Sequence, residues 1–257
     1  MTVKLGLVVA LPAEMRALIG RGRCQNSDGF PVRRIDLRGG HEIICIRSGV
    51  GMDNALRAAR ILVRERVRLL VSAGVSGGLR PGLQPGTLII AGSVFEHRES
   101  GETLTWSPGT SCSKHLAGLF SASGLCACTG QVISTPRPVL SAEDKRLLYQ
   151  HTGASAVDLE SAAVARAACD AECAFYALRA VCDSAEQAVP DEIVCALQET
   201  GQIRLRPLIQ ALAKRPQLGG DLYRLGRNFS RALAVLHSAW ALQVKNGFND
   251  FTGSRTL

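Results

Sequence analysis

Two carboxylic acids in this sequence each stand at the end of an apolar segment. Glu160 follows the segment from Ala154 to Leu159, and Asp183 follows the segment from 174 to 182. Both segments are short and apolar enough to be buried strands of an α/β sheet. Ligands of open α/β sheets bind at the carboxyl ends of strands, so we expect these two acids to lie close together. One would bind a polyol and the other would move a proton.

Further strands and helices alternate along the chain, which indicates the α/β class. A third acid, Glu14, follows the first apolar run and lies just inside a helix that begins at Pro12. The pattern predicts the remaining strands at Val3 to Ala10, 31–38, 42–47, Val67 to Ser72, Leu88 to Phe95 and 126–134, and helices at Asn54 to Arg64, 112–122, after Ser141 and after Glu160.

Composition places the chain in the globular class. With 257 residues and 46% hydrophobic content, it can bury a full core in a single α/β domain. Nine cysteines, an odd number without a regular spacing, indicate a reducing compartment and a cytoplasmic location. No histidine pair accompanies Cys169 and Cys173 at a ligand spacing, so we expect no metal site. We also expect no signal peptide and no membrane-spanning segment.

Positive charge is concentrated in the last part of the chain. Of the net charge of +8, residues 201–257 contribute nine basic against two acidic side chains. Basic residues interleaved with exposed aromatics are absent from the sequence, so we predict no nucleic-acid partner. We assign 1–200 to the catalytic domain, 201–246 to basic amphipathic helices packed on it, and 247–257 to a loose tail.

The last long helix allows two interpretations. An apolar stripe lies along one face, and three arginines lie roughly opposite. The helix either packs on the core with a solvated basic back, or rests with its basic face on an anionic lipid surface. The stripe consists of Leu222, Leu225, Phe229, Leu233, Leu236 and Trp240, and the arginines are Arg224, Arg227 and Arg231.

Four segments together resemble the nucleoside phosphorylase and nucleosidase superfamily. They are Val157 to Ala163, Cys182 to Ser184, Ala10 to Glu14, and a predicted glycine-rich loop from Ala73 to Leu79. The resemblance covers about residues 3 to 200 and is closest to methylthioadenosine and adenosylhomocysteine nucleosidases. It implies a single three-layer α/β/α domain with a mixed central sheet, a homo-oligomer, no cofactor, and cleavage of an N-glycosidic bond.

The resemblance also implies residue roles. Asp183 would protonate N7 of adenine, Glu160 would bind the ribose 2′ and 3′ hydroxyls, and Glu14 would activate water. The substrate-binding set would comprise Glu160, Leu159, Asp158, Ser76, Gly77, Val75, Val139 and Ser184. A glycine turn before a helix predicts an anion site at Gly49, Gly51 and Arg47.

Two shorter motifs narrow the substrate. Leu225 to Arg227 and Ser134 to Pro138 resemble the hopanoid-associated phosphorylase branch, which removes adenine from adenosylhopane. That substrate is lipid-linked, and the protein would then be peripheral to the inner membrane. Methylthioadenosine and adenosylhomocysteine remain alternative substrates. Pro138 stands where the methylthioadenosine nucleosidases place an aromatic residue against adenine.

The nucleophile is either water or phosphate. Phosphorylases of this superfamily carry an arginine where this chain has Ser72, and Glu14 would repel phosphate. Both features favour water, although Arg16, Arg47 and Arg137 could rebuild an anion pocket for phosphate as co-substrate. A nucleoside-binding protein without catalysis and a lipid-surface protein are the non-enzyme alternatives.

Overall fold

The structure, a computed structural model, describes residues 3–37, 40–97, 103–107, 110–196 and 215–247. The strands are β1 (Lys4–Val9), β2 (Gln25–Ser27), β3 (Phe30–Asp36), β4 (Glu42–Arg47), β5 (Leu69–Gly78), β6 (Leu88–His97), β7 (Thr103–Trp106), β8 (Ala127–Ser134), β9 (Ala156–Asp158) and β10 (Ala174–Asp183). The helices are α1 (Pro12–Ile19), α2 (Met52–Arg64), α3 (Thr110–Ala122), α4 (Ala142–Thr152), α5 (Ser161–Asp170), α6 (Asp191–Ala196) and α7 (Leu218–Asn246).

All ten strands belong to one mixed sheet, as predicted. The order is β10-β6-β8-β9-β5-β1-β4-β3-β2, and β7 pairs with β6. β10 also pairs with β5 in parallel, so β5, β9, β8, β6 and β10 close into a ring. The expectation of an open sheet therefore holds only for the half from β1 to β2.

Helices cover both faces of the sheet and confirm the single α/β domain. On one face α1, α3 and α7 bury Met15, Phe120 and Trp240 against the strands. On the other face α2 and α5 pack against each other through small residues such as Ala59 and Ala163. Burial of these apolar faces supplies the main stabilisation of the three layers.

Two strands differ in length from their predictions. β5 continues through Gly78, so the glycine-rich segment predicted as a loop is mostly strand. Its small residues leave space for side chains from neighbouring elements rather than for a turn. β9 covers only Ala156–Asp158, and Glu160 takes the N-cap position of α5.

Helix α7 packs on the body of the domain. Leu236 and Trp240 of the predicted stripe are buried, and Arg224, Arg227 and Arg231 are exposed. His237 contacts the carbonyl of Ala17 in α1 at 2.6 Å. The end of the apolar stripe at Leu236 and Trp240 therefore packs on the core, and its other four residues are half-buried. The predicted domain boundary at residue 200 and the predicted tail after Gly247 lie outside the described residues. Within the described ranges, no helix is long and apolar enough to cross a bilayer.

We expect Leu236→Ala to lower the free energy of unfolding by about 2–5 kcal/mol, because the side chain is fully buried and its removal leaves a cavity. Urea unfolding measures the change. Arg227→Ala, an exposed position of the same helix, should stay within about 0.5 kcal/mol of wild type. Equal effects of the two variants would show that α7 does not belong to the core.

Candidate active site

Glu14 lies in the first turn of α1 and points against strand β5. Its Oε2 accepts hydrogen bonds from the amides of Ala10 and Leu11, at 2.9 and 2.8 Å. Its Oε1 accepts from the amide of Val75 at 2.9 Å. The residue is only 2% exposed. Glu14 is therefore not a solvated first-turn acid of α1.

Glu160 connects the start of α5 with the turn before α2. Its Oε1 accepts a hydrogen bond from the amide of Gly51 at 3.0 Å, and the side chain is buried. This contact uses an amide that the sequence assigned to an anion. Gly49 has the left-handed backbone expected of that turn, with φ of 83°, and Arg47 is half-buried. The anion site stays a prediction, with one of its donors occupied.

Asp183 ends β10 directly after a β-bulge. Val181 pairs with Ser76 and Asp183 pairs with Gly77, so Cys182 is the extra residue. Bulges change the direction of the following side chain and are frequent next to active sites. A Cβ on Gly77 would lie 3.2 Å from Oδ2 of Asp183, so the glycine lets the carboxylate lie close against the strand.

The three acids thus belong to segments that contact or pair with the end of β5. Glu14 binds the backbone at Val75, and Asp183 packs against Gly77. β9, which leads into Glu160, pairs with β5 at the same Gly77.

Arg179 is a charged residue at this site that the sequence analysis missed. It lies in β10, is 2% exposed, and its Nε donates to Asp158 at 2.5 Å. Nη2 donates to the hydroxyl of Ser72 at 2.7 Å. A Cβ on Gly74 would lie 2.5 Å from both Nη1 of Arg179 and Oε1 of Glu14. The absence of a side chain at Gly74 therefore lets both charged groups reach the strand.

Burial controls the protonation of two of the acids. It raises the pKa of Glu14, while the amide of Val75 and the positive charge of Arg179 act in the opposite direction. Burial, followed by repulsion from Asp158, raises the pKa of Glu160 to about 7. A carboxyl with a pKa near neutrality can accept or hold a proton at the pH of a cell.

Asp158 holds the site together, and its carboxylate has no free oxygen for substrate. Oδ1 accepts from the hydroxyl of Ser134 at 2.5 Å, and Oδ2 accepts from Arg179 and from the amide of Ser161. The amide of Glu160 also donates to Oδ1, at 3.4 Å. This geometry counts against the predicted substrate contact and gives Asp158 a structural role.

The other predicted substrate-binding residues differ in how free their polar groups are. The Ser76 hydroxyl is buried and has no hydrogen-bond partner among the described residues. The Val75 amide is used by Glu14, and the Ser184 carbonyl accepts from Lys145 at 3.1 Å. Val139 and Leu159 are half-buried, and Val139 packs on a small apolar cluster. Ser76 thus offers the clearest unused polar group.

Lys145 is the second charged residue that the sequence analysis missed. It is fully buried in α4 and donates to the carboxylate of Asp183. It follows a polar run that is typical of an exposed helix start, so no sequence signal distinguishes this lysine from a surface lysine. Arg179, in contrast, interrupts an apolar strand, and that interruption could have been noticed.

The phosphate pocket that Arg16, Arg47 and Arg137 could form stays a prediction. Arg16 and Arg137 are exposed, Arg47 is half-buried, and the uncharged Ser72 hydroxyl accepts a hydrogen bond from Arg179. Within the described ranges, no group of three or more His, Cys, Asp or Glu side chains could hold a metal ion.

The chain belongs to the phosphorylase superfamily, whose family pattern matches residues 4–215. No curated protein matches the sequence.

Solved structures show the same fold at low sequence identity. A futalosine hydrolase of Helicobacter pylori strain 26695 aligns with a TM-score of 0.75 and 17% identity, over 96% of this chain and 99% of that chain. The methylthioadenosine/adenosylhomocysteine nucleosidase of Helicobacter pylori, bound to butyl-thio-DADMe-Immucillin-A, gives 0.71 and 17%, over 94% and 96%. That of Neisseria meningitidis, bound to methylthio-immucillin-A, gives 0.70 and 18%, over 94% and 98%.

The pKa of Glu160 makes stability depend on pH. The folded chain titrates this carboxyl near 7 and the unfolded chain near 4.5, so folding retains a proton between these values. Stability contributed by the protonated form is therefore lost as pH rises from about 4.5 to 7. We expect the unfolding free energy of wild type, minus that of Glu160→Gln, to fall by roughly 1–3 kcal/mol over this window.

Urea unfolding of both proteins at several pH values measures this difference. Glu143→Gln serves as the control, because Glu143 is exposed on α4. A wild-type-minus-variant difference that does not change with pH would show that Glu160 titrates as an ordinary glutamate.

Proposed function

We propose that this protein hydrolyses the N-glycosidic bond of an adenine nucleoside, without a cofactor. The observation that carries the proposal is the buried Glu14, which three backbone amides hold beside β5 while burial raises its pKa. Such a carboxylate is suited to act as a general base. Membership of the phosphorylase superfamily supports the same class of bond cleavage.

The reaction assigns one task to each acid. Glu14 takes a proton from water, and the water oxygen forms a bond to C1′ of the ribose. The bond from C1′ to N9 breaks, its electron pair goes to the base, and protonated Asp183 gives its proton to N7. Glu160 accepts hydrogen bonds from the ribose hydroxyls, and the unused hydroxyl of Ser76 is a further candidate for the sugar. Solvent then returns Glu14 and Asp183 to their starting protonation states.

Water is favoured over phosphate by the charge of the site. Three acids surround the end of β5, and the one buried arginine described there is engaged by Asp158 and Ser72. An incoming phosphate would meet these carboxylates with little uncommitted positive charge. The alternative is phosphorolysis, which gives ribose 1-phosphate from the same bond.

We further propose a large apolar 5′ substituent, as in adenosylhopane. The motifs Leu225 to Arg227 and Ser134 to Pro138 support this substrate. Asn228 of α7 donates to the side chain of Gln187 at 3.2 Å, so the basic helix borders the loop that follows Asp183. A cavity of about 870 Å³ lies at this border, and its lining includes Pro138, Ser184 and Leu218 as well as charged residues such as Glu186 and Arg224. Its volume would accommodate more than a methylthio group.

Three expectations about the protein's surroundings stay predictions. They are a homo-oligomer, a peripheral contact of the basic helix with an anionic membrane surface, and a cytoplasmic location. The exposed Arg224, Arg227 and Arg231 are compatible with a membrane contact of α7.

We expect Asp183→Asn to lower adenine release by about 10²-fold or more, and Glu14→Gln to do the same, because each removes a proton-transfer group. Adenine release is measured with and without phosphate, and Glu143→Gln is the matched control for Glu14→Gln. Hydrolysis predicts equal rates with and without phosphate. Strict dependence on phosphate would establish a phosphorylase, and normal turnover of Glu14→Gln would remove this acid from the mechanism.

A series of 5′-alkylthioadenosines tests the substituent. Each buried methylene contributes about 0.8 kcal/mol, so kcat/KM should rise by up to about fourfold per methylene while the chain fits the site. We expect a rise of at least about tenfold from methyl to octyl. A maximum at methyl would instead favour a methylthioadenosine nucleosidase.

A further inference from the structure

Lys145 occupies an unusual position for a lysine. Its side chain is fully buried, although it comes from the polar first turns of α4. Burial of an ammonium group is costly unless it is paired and hydrogen-bonded, and a lysine in a solvated helix start has no need to be buried. The surroundings of this side chain should therefore explain why it points inward.

All three donors of the Lys145 ammonium have partners, and all of these lie on β10 or the loop after it. One donor bonds Oδ2 of Asp183, and the others bond the carbonyls of Ser184 at 3.1 Å and Gln187 at 2.7 Å. The lysine thus fastens the loop 184–187 to α4 and places a positive charge directly against the carboxylate.

The second oxygen of Asp183 is also held. The thiol of Cys182 donates to Oδ1 at 2.9 Å. Burial raises the pKa of Cys182 well above its ordinary value, so the group remains a neutral thiol and a donor. The carboxylate orientation is therefore fixed by contacts on both oxygens.

We propose that Lys145 is a positioning residue for leaving-group protonation. This inference rests on the proposed function. The carboxylate seen in the structure, held by an ammonium and a thiol, corresponds to Asp183 after it has given its proton to N7 of the base, when a negative charge lies in a buried site. The ammonium of Lys145 balances that charge in the transition state, and its bonds to two carbonyls keep Asp183 directed at the base. Lys145 itself transfers no proton and acts only through Asp183.

Lys145→Met tests the proposal, because methionine keeps most of the side-chain length and removes the charge. We expect kcat for adenine release to fall by about 10²-fold while KM for the nucleoside stays within about threefold, since the charge is needed when the proton leaves Asp183. Arg146→Met is the matched control, because Arg146 is exposed on the same helix. We expect it to retain wild-type kcat. A purely structural role of Lys145, anchoring the loop, would raise KM together with the loss of kcat and would overturn the proposal.

A double-mutant cycle keeps the test valid if Lys145→Met folds poorly. That variant leaves the Asp183 carboxylate buried without its cation, whereas Asp183→Asn combined with Lys145→Met leaves no unpaired charge. The double variant should melt at a higher temperature than Lys145→Met alone. Its adenine release should lie within about threefold of Asp183→Asn alone.

The cycle separates failure of this inference from failure of the proposed function. A further large loss of adenine release in the Asp183→Asn background would show that Lys145 acts independently of Asp183. Unchanged kcat in Lys145→Met would also overturn the proposal. Wild-type protein that releases no base from any adenine nucleoside would reject the proposed function itself and this inference with it.

Discussion

Charge compensation inside the protein is the constraint on which this structure depends. Glu14, Glu160 and Asp158 are all buried, and burying several acids together is unfavourable unless cations and amides balance them. Arg179 supplies the balancing charge, since its Coulombic influence reaches all three carboxylates. The arginine can occupy this place only because Gly74 has no side chain. The glycine in β5 is thus required for the charge balance of the site.

Much of the framework could be predicted because it depends on local pattern. Each local feature is encoded by a few neighbouring residues. Examples are the apolar runs that form β1, β6 and β10 and the capped helix start at Ser141. The places of Asp183 at the end of β10 and of Glu160 after β9 also followed from the pattern. Sequence patterns of this kind are reliable because burial of an apolar face is required wherever the element packs.

The features that the sequence did not predict depend on contacts between distant segments. The glycine-rich run looked like a loop, and only the positions of Glu14 and Arg179 explain why an extended strand needs Gly74. Closure of the sheet required the pairing of β10 with both β5 and β6, which no single segment encodes. Lys145 belongs to a polar helix start, and its burial depends on an aspartate and two carbonyls that follow much later in the chain.

The closed ring of β5, β9, β8, β6 and β10 has a consequence for how ligands exchange. Every strand of the ring has hydrogen-bonding partners on both sides, so freeing one strand would break two ladders at once. The frame that carries Asp183 and Arg179 is therefore expected to stay closed during turnover. We therefore expect ligands to pass at its rim, between β8 and α4 and after β10. The motion of those rim segments would then set the rate of product release, because the strands of the ring do not separate.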